Sequence, residues 1–103
     1  MYIHWAIGDD GWHRLSEISC RQGVGVYIIW EDTGQVLYAG SGQVGDCLIR
    51  HQLDSRFSGA SVTWADFNSR WIYGVEAYLH EKLKPIHSQR NPAVPQVPVN
   101  LPW

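Results

Sequence analysis

Cysteine is scarce, positive charge is not in excess, and no long apolar run occurs. Each absence excludes a class of protein. Two cysteines, Cys20 and Cys47, build neither a disulfide framework nor a zinc-ligand spacing, and leave room for one bridge at most. Eight Lys and Arg against ten Asp and Glu give a net charge of −2. This argues against a protein that grips nucleic acid by bulk electrostatics, because phosphate binding is driven by Lys and Arg. A site that handles one phosphate locally stays open. No apolar run approaches the ~20 residues a membrane-spanning helix needs, so no membrane partner is expected. The opening MYIHWAIGDDGWHR lacks a basic segment followed by an apolar one, so no signal peptide is expected and the chain reads as cytoplasmic.

What the chain does have is a core. Hydrophobic residues make up 45% of its 103 positions, enough for one folded domain and too few positions for two. A single domain over 1–103 is expected. The six tryptophans read as core and tail packing rather than base stacking.

The strongest local pattern is a hairpin. VGVYIIW at 24–30 is β-branched and aromatic and suits a buried strand. EDTG at 31–34 is a turn closed by Gly34, and QVLYAG at 35–40 is the returning strand. A GSGQVG loop is expected next, then a helix from about Val44 to Leu53. SVTWADF at 61–67 reads as a third strand. WIYGVEAYLHEKLK at 71–84 has helical periodicity, with Ile72, Val75, Leu79 and Leu83 as its apolar stripe. Pro85 ends it, and Lys82 and Lys84 suit its C-terminus. A short helix is expected over 12–20, with Asp10 and Ser16 as candidate caps. Residues 91–103 hold four of the five prolines and are expected to be an extended tail lying along the body or a partner. Together these elements predict an α+β domain: a small sheet of three strands with helices against it, and a Pro-rich tail.

Three features carry chemistry. Glu76 falls beside Ile72, Leu79 and Leu83 on a helix, at the edge of the apolar stripe. A carboxylate there is either paired or metal-bound, or is a rim residue that turns outward or meets an arginine. Tyr27 and Tyr38 lie on the two hairpin strands, where they either pack across the sheet or turn their hydroxyls to a phosphate or water. The glycines at 40–45 are either a plain strand-to-helix turn or a backbone that approaches an anion at a helix start. Cys47, Arg50 and His51 follow at i, i+3 and i+4, one patch of one helix.

Taken in order, GVY at 25–27, YAG at 38–40, first-helix His51 and the later helical Glu76 resemble the GIY-YIG nuclease superfamily over about 24–88. The resemblance implies a three-stranded antiparallel sheet flanked by helices, and cleavage of DNA phosphodiester bonds. It implies one divalent ion, Mg²⁺ or Mn²⁺, held by Glu76. Tyr27 would orient or deprotonate the attacking water, Tyr38 would line the site, and His51 would share the proton transfer. Gly40 and Ser41 would lie along the substrate. The family's transition-state arginine sits four residues before the histidine, where this chain has Cys47, a degenerate catalytic position. Arg50, one turn away, is the expected substitute. An asparagine often found three residues past the proline is replaced by Ser88, with Asn91 displaced nearby. Ser41 stands where some members carry a lysine. A catalytically impaired relative that binds nucleic acid or protein is the alternative. In a third reading the tail docks on a second copy of the chain or on a protein partner.

Overall fold

A computed structural model describes residues 2–19, 23–88 and 92–103. The elements run β1 (His13–Arg14), β2 (Val24–Trp30), β3 (Val36–Gln43), α1 (Val44–Gln52), β4 (Ser61–Asp66) and α2 (Ile72–Leu83), with 3₁₀ turns at Leu15–Glu17 and Ser55–Phe57. One antiparallel sheet has the order β1-β4-β2-β3. The α+β class is as expected, but the sheet has four strands rather than three.

The extra strand replaces the helix expected over 12–20. His13 and Arg14 pair with Val62 and Ser61, and Leu15 N–H donates to the Ala60 carbonyl. Only three residues then coil, and neither Asp10 nor Ser16 caps them; the N-cap is Arg14, without a side-chain bond. Backbone groups offered by the edge of β4 outweigh a weak local helical preference. Cys20 lies outside the described residues.

β2 is the central strand, and six of its seven residues are buried. Val26, Ile28 and Trp30 face α2 and the tail, in a core with Ile72, Val75, Leu79 and Val99. Tyr27 and Ile29 face α1, in a second core with Val44, Leu48 and Phe57. The expected turn closes the hairpin: Gly34 has φ +92° and donates to the Glu31 carbonyl. A bulge follows, because Ile29 pairs with Tyr38 while Trp30 pairs with Val36. The extra residue, Leu37, lets both Leu37 and Tyr38 pack on the α1 side.

The segment expected as a loop after Gly40 is instead the end of β3. Ser41, Gly42 and Gln43 continue the pairing with β2, and α1 starts directly after them. Glycine signals a loop in sequence, yet here it allows close approach: Gly42 (φ +130°) pairs with Gly25, whose own missing side chain leaves room for the Ala65 carbonyl of β4. α2 ends in a left-handed Lys84 (φ 47°), just before Pro85.

Residues 92–103 form no helix or strand and lie against the body. Val97 N–H donates to the Gly74 carbonyl at 3.0 Å, and Val99 is buried. The Asn100 side chain accepts from Ile3 N–H (2.6 Å) and donates to its carbonyl (2.9 Å). Trp103 packs on Trp30 and Trp12. Trp71, by contrast, is exposed. Among the described residues no helix is long and apolar enough to cross a membrane.

Candidate active site

The α1 face of the sheet brings the first group of expected residues together. Tyr27 and Tyr38 point to the same side of the hairpin, rings parallel within 4° and centroids 6.0 Å apart. α1 leaves β3 without a loop, which carries His51 back over both rings. The Tyr27 hydroxyl and His51 Nε2 are 2.9 Å apart, and His51 stands 4.4 Å from the Tyr38 ring.

Gly40 is the direct cross-strand partner of Tyr27. A Cβ at that position would fall 2.5 Å from the Tyr27 oxygen and 2.6 Å from Cζ. The glycine of one tripeptide therefore makes room for the tyrosine of the other. Gly40→Ala is expected to cost about 1–3 kcal/mol, the usual scale for overpacking, and to displace Tyr27 from His51. Denaturant midpoints and the Tyr27 ring shifts by NMR would check this; an unchanged midpoint would contradict it.

Burial, at 3% exposure, pushes the Tyr27 hydroxyl far above the ordinary phenol pKa. The acidic neighbours Cys47, Tyr38 and Glu76 add to the effect. Tyr27 is therefore a phenol at any physiological pH. His51 moves the other way: burial holds it below the usual histidine value, the Arg50 charge lowers it further, and Arg56 adds to this against a smaller opposing pull from Asp54. It is neutral at pH 7.

Cys47 is a free, buried thiol. Arg50 is exposed, but its Nη2 reaches back to donate to the Cys47 sulfur at 3.3 Å. The i, i+3 spacing read from the sequence thus becomes a contact, and it brings a guanidinium to the position held by the thiol. Ser41, Gly42, Asp46, Cys47 and Arg50 line an open cleft of about 730 Å³.

Glu76 lies across β3 from these groups and is 5% exposed, so it neither turns outward nor meets an arginine. Ser41 Oγ donates to its Oε1 at 2.6 Å. His80, one turn on, places Nε2 3.7 Å from Oε2 and 3.0 Å from the Ala39 carbonyl. A carbonyl only accepts, so Nε2 carries the proton and has no lone pair for a metal. His80 was missed from sequence, although its i+4 spacing from Glu76 was there to be read.

Among the described residues no group of three or more His, Cys, Asp or Glu stands together as a metal cage. Mg²⁺ needs none, since it binds through one or two carboxylates and keeps waters and phosphate oxygens. The two groups that would hold an ion, Glu76 Oε1 and the Ser41 hydroxyl, are both oxygen, which suits a hard cation.

Ser88 is drawn to the same strand. Its hydroxyl accepts from Ala39 N–H at 3.0 Å and lies 3.2 Å from the Ala39 carbonyl, so it braces β3 one residue before Gly40. Asn91 lies outside the described residues. Comparison of the chain with protein-family models, curated proteins and solved structures finds no match.

Proposed function

We propose that the chain is a GIY-YIG-like, divalent-metal-dependent endonuclease that hydrolyses DNA phosphodiester bonds. The observation that carries this reading is the 2.9 Å contact between Tyr27 and His51. It joins residues from two elements that the motif resemblance had paired, beside the cleft that Arg50 lines and with a buried carboxylate on the far side of the same strand.

In this reading the protons divide the roles. Tyr27 keeps its proton, and in this reading its oxygen accepts from His51 Nε2–H across their 2.9 Å contact. The lone pair of neutral His51 is then on Nδ1, which serves as the general base for the attacking water. Tyr27 fixes the tautomer and does not itself ionise. Tyr38 supports the imidazole from below. Arg50, held by Cys47, offers its remaining N–H donors to the phosphate as negative charge grows. A divalent ion bound at Glu76 and Ser41 would supply Lewis-acid charge to a phosphate oxygen. Release of the Ser41 hydroxyl from Glu76 opens one carboxylate oxygen for that purpose.

Nicking of supercoiled plasmid in Mg²⁺ or Mn²⁺ tests the reading; no cleavage of duplex or single-stranded DNA in either metal would overturn it. Arg50→Ala is expected to lower the rate about 10²- to 10³-fold, the scale of one transition-state donor. The same change removes a positive neighbour of His51, so the acid limb of the pH–rate profile should move upward. A lower rate with an unmoved limb would place Arg50 elsewhere.

A second reading, a catalytically impaired relative that binds nucleic acid or protein, draws on a different observation. Glu76 Oε1 accepts from Ser41 and Oε2 lies 3.7 Å from His80 Nε2, so the buried carboxylate has polar neighbours within the protein itself. Binding of DNA without cleavage in either metal would favour it.

A further inference from the structure

Phe57 is 2% exposed and makes the floor of an aromatic platform. The rings of Tyr38, His51 and His87 stand around it with centroids 5.9, 5.2 and 5.9 Å away. The Arg56 guanidinium lies 5.4 Å from the same ring centre. Four separate segments build this arrangement. Tyr38 follows the bulge in β3, His51 ends α1, and Phe57 belongs to the 3₁₀ turn. His87 is fixed by its backbone N–H, which donates to the Leu37 carbonyl at 2.8 Å.

Phe57 is sealed, whereas Tyr38, His51 and His87 are each half-buried. The face is rich in π surface and poor in uncommitted positive charge. Arg56 is bound to Asp54 at 2.7 Å, and its hydrogen bonds pull the Asp54 carboxyl down to about 2. Duplex DNA presents phosphates and hides the faces of its bases, so duplex binders need many Lys and Arg. An unpaired nucleotide presents a base face as well, and stacking on aromatic rings replaces part of the electrostatic grip. His51 belongs both to the platform and to the proposed catalytic pair, so a base resting here lies next to the phosphate under attack.

We propose that this platform receives an unpaired nucleobase beside the scissile phosphate, and that the substrate is a single-stranded DNA segment. The inference rests on the nuclease reading for its catalytic meaning, but its binding claim is measurable alone.

The test is fluorescence anisotropy in EDTA, where no cleavage occurs, with three probes of equal length: a thymidine oligomer of about 12 nucleotides, the same oligomer in a duplex, and an abasic oligomer with the same phosphates. The base-bearing single strand is expected to bind about tenfold more tightly than either of the others. Equal binding of the abasic oligomer, or tighter binding of the duplex, overturns the proposal. Two variants locate the effect. His87→Leu keeps apolar contact with Phe57 but removes the π face, and is expected to weaken single-strand binding about tenfold. His87→Phe keeps the face and is expected to retain the affinity. Variants that behave alike overturn the assignment to this platform. The two readings fail separately. Single strands that bind through their bases but survive Mg²⁺ remove the nuclease and leave the stacking site. Duplex and single strands cut at equal rates remove the stacking site and leave the nuclease.

Discussion

Glu76→Gln is expected to reduce DNA cleavage by about 10³-fold or more while leaving the fold nearly as stable as before. The first number follows from the several kcal/mol that Lewis-acid stabilisation contributes to phosphoryl chemistry. A neutral amide is a poor ligand for Mg²⁺, so the site would lose its ion. The second follows from the surroundings of Glu76. Its carboxylate is 5% exposed, and a buried charge is costly to desolvate. The substitution weakens a charge-assisted bond from Ser41 but removes that desolvation penalty, and Gln still has an oxygen to accept the Ser41 proton. The two effects offset to within about 1 kcal/mol. Glu76→Ala differs: it takes the acceptor from the half-buried Ser41 hydroxyl and leaves a void where a buried side chain stood, at a cost of about 1–3 kcal/mol. Activity lost in both variants with stability lost only in the alanine one marks a carboxylate kept for chemistry. Cleavage that persists in Glu76→Gln would show that Glu76 braces α2 against β3 with Ser41 and His80, and would remove the metal from the mechanism.

How much of this was legible in the sequence depended on how local the cause was. β2 and α2 were readable because their own residues carry the signal, a β-branched run and a 3.6-residue stripe. β1 was not, because two residues become a strand only where β4 offers its edge. The glycines after Tyr38 read as a loop because glycine permits loops and close approach alike. Only the cross-strand partners, Tyr27 over Gly40 and Gly25 opposite Gly42, decide between the two. In the site, the meeting of Tyr27 with His51 was implied by the motif resemblance, and the Arg50–Cys47 contact by spacing on one helix. The burial of Glu76 between Ser41 and His80 depends on how α2 crosses β3, which no local pattern encodes. The platform around Phe57 was least legible, since His87 reaches it through backbone pairing with β3, and that pairing leaves no mark on side-chain periodicity.

His51→Ala is expected to lower cleavage by about 10²- to 10⁴-fold, the range for a positioned general base, and the pH dependence of the parent chain separates this role from a structural one. His51 must be neutral to accept a proton from water. Burial first, then Arg50 and Arg56, hold its pKa below the ordinary histidine value of ~6.5. The base form therefore persists to lower pH than usual. The rate should be level through neutrality and fall only below pH ~6.5, with unit slope once His51 protonates. No basic limb is expected from Tyr27, whose pKa is raised far out of range. Stability follows the same sign. Between the lowered folded-state pKa and the ordinary one, the unfolded chain binds more protons at His51 than the folded chain does. The stabilisation from this group is therefore complete above the ordinary value and is lost as pH falls toward the folded one. In His51→Ala the residual rate should lose this acid limb, because the group that titrates is gone. If the limb survives at the same pH, the proton acceptor is another residue and the Tyr27–His51 pair is packing. If it disappears together with the rate, the hydrogen bond between them holds the base in its working tautomer, and Tyr27→Phe, which removes the acceptor oxygen but keeps the ring, should then lower the rate without moving the fold.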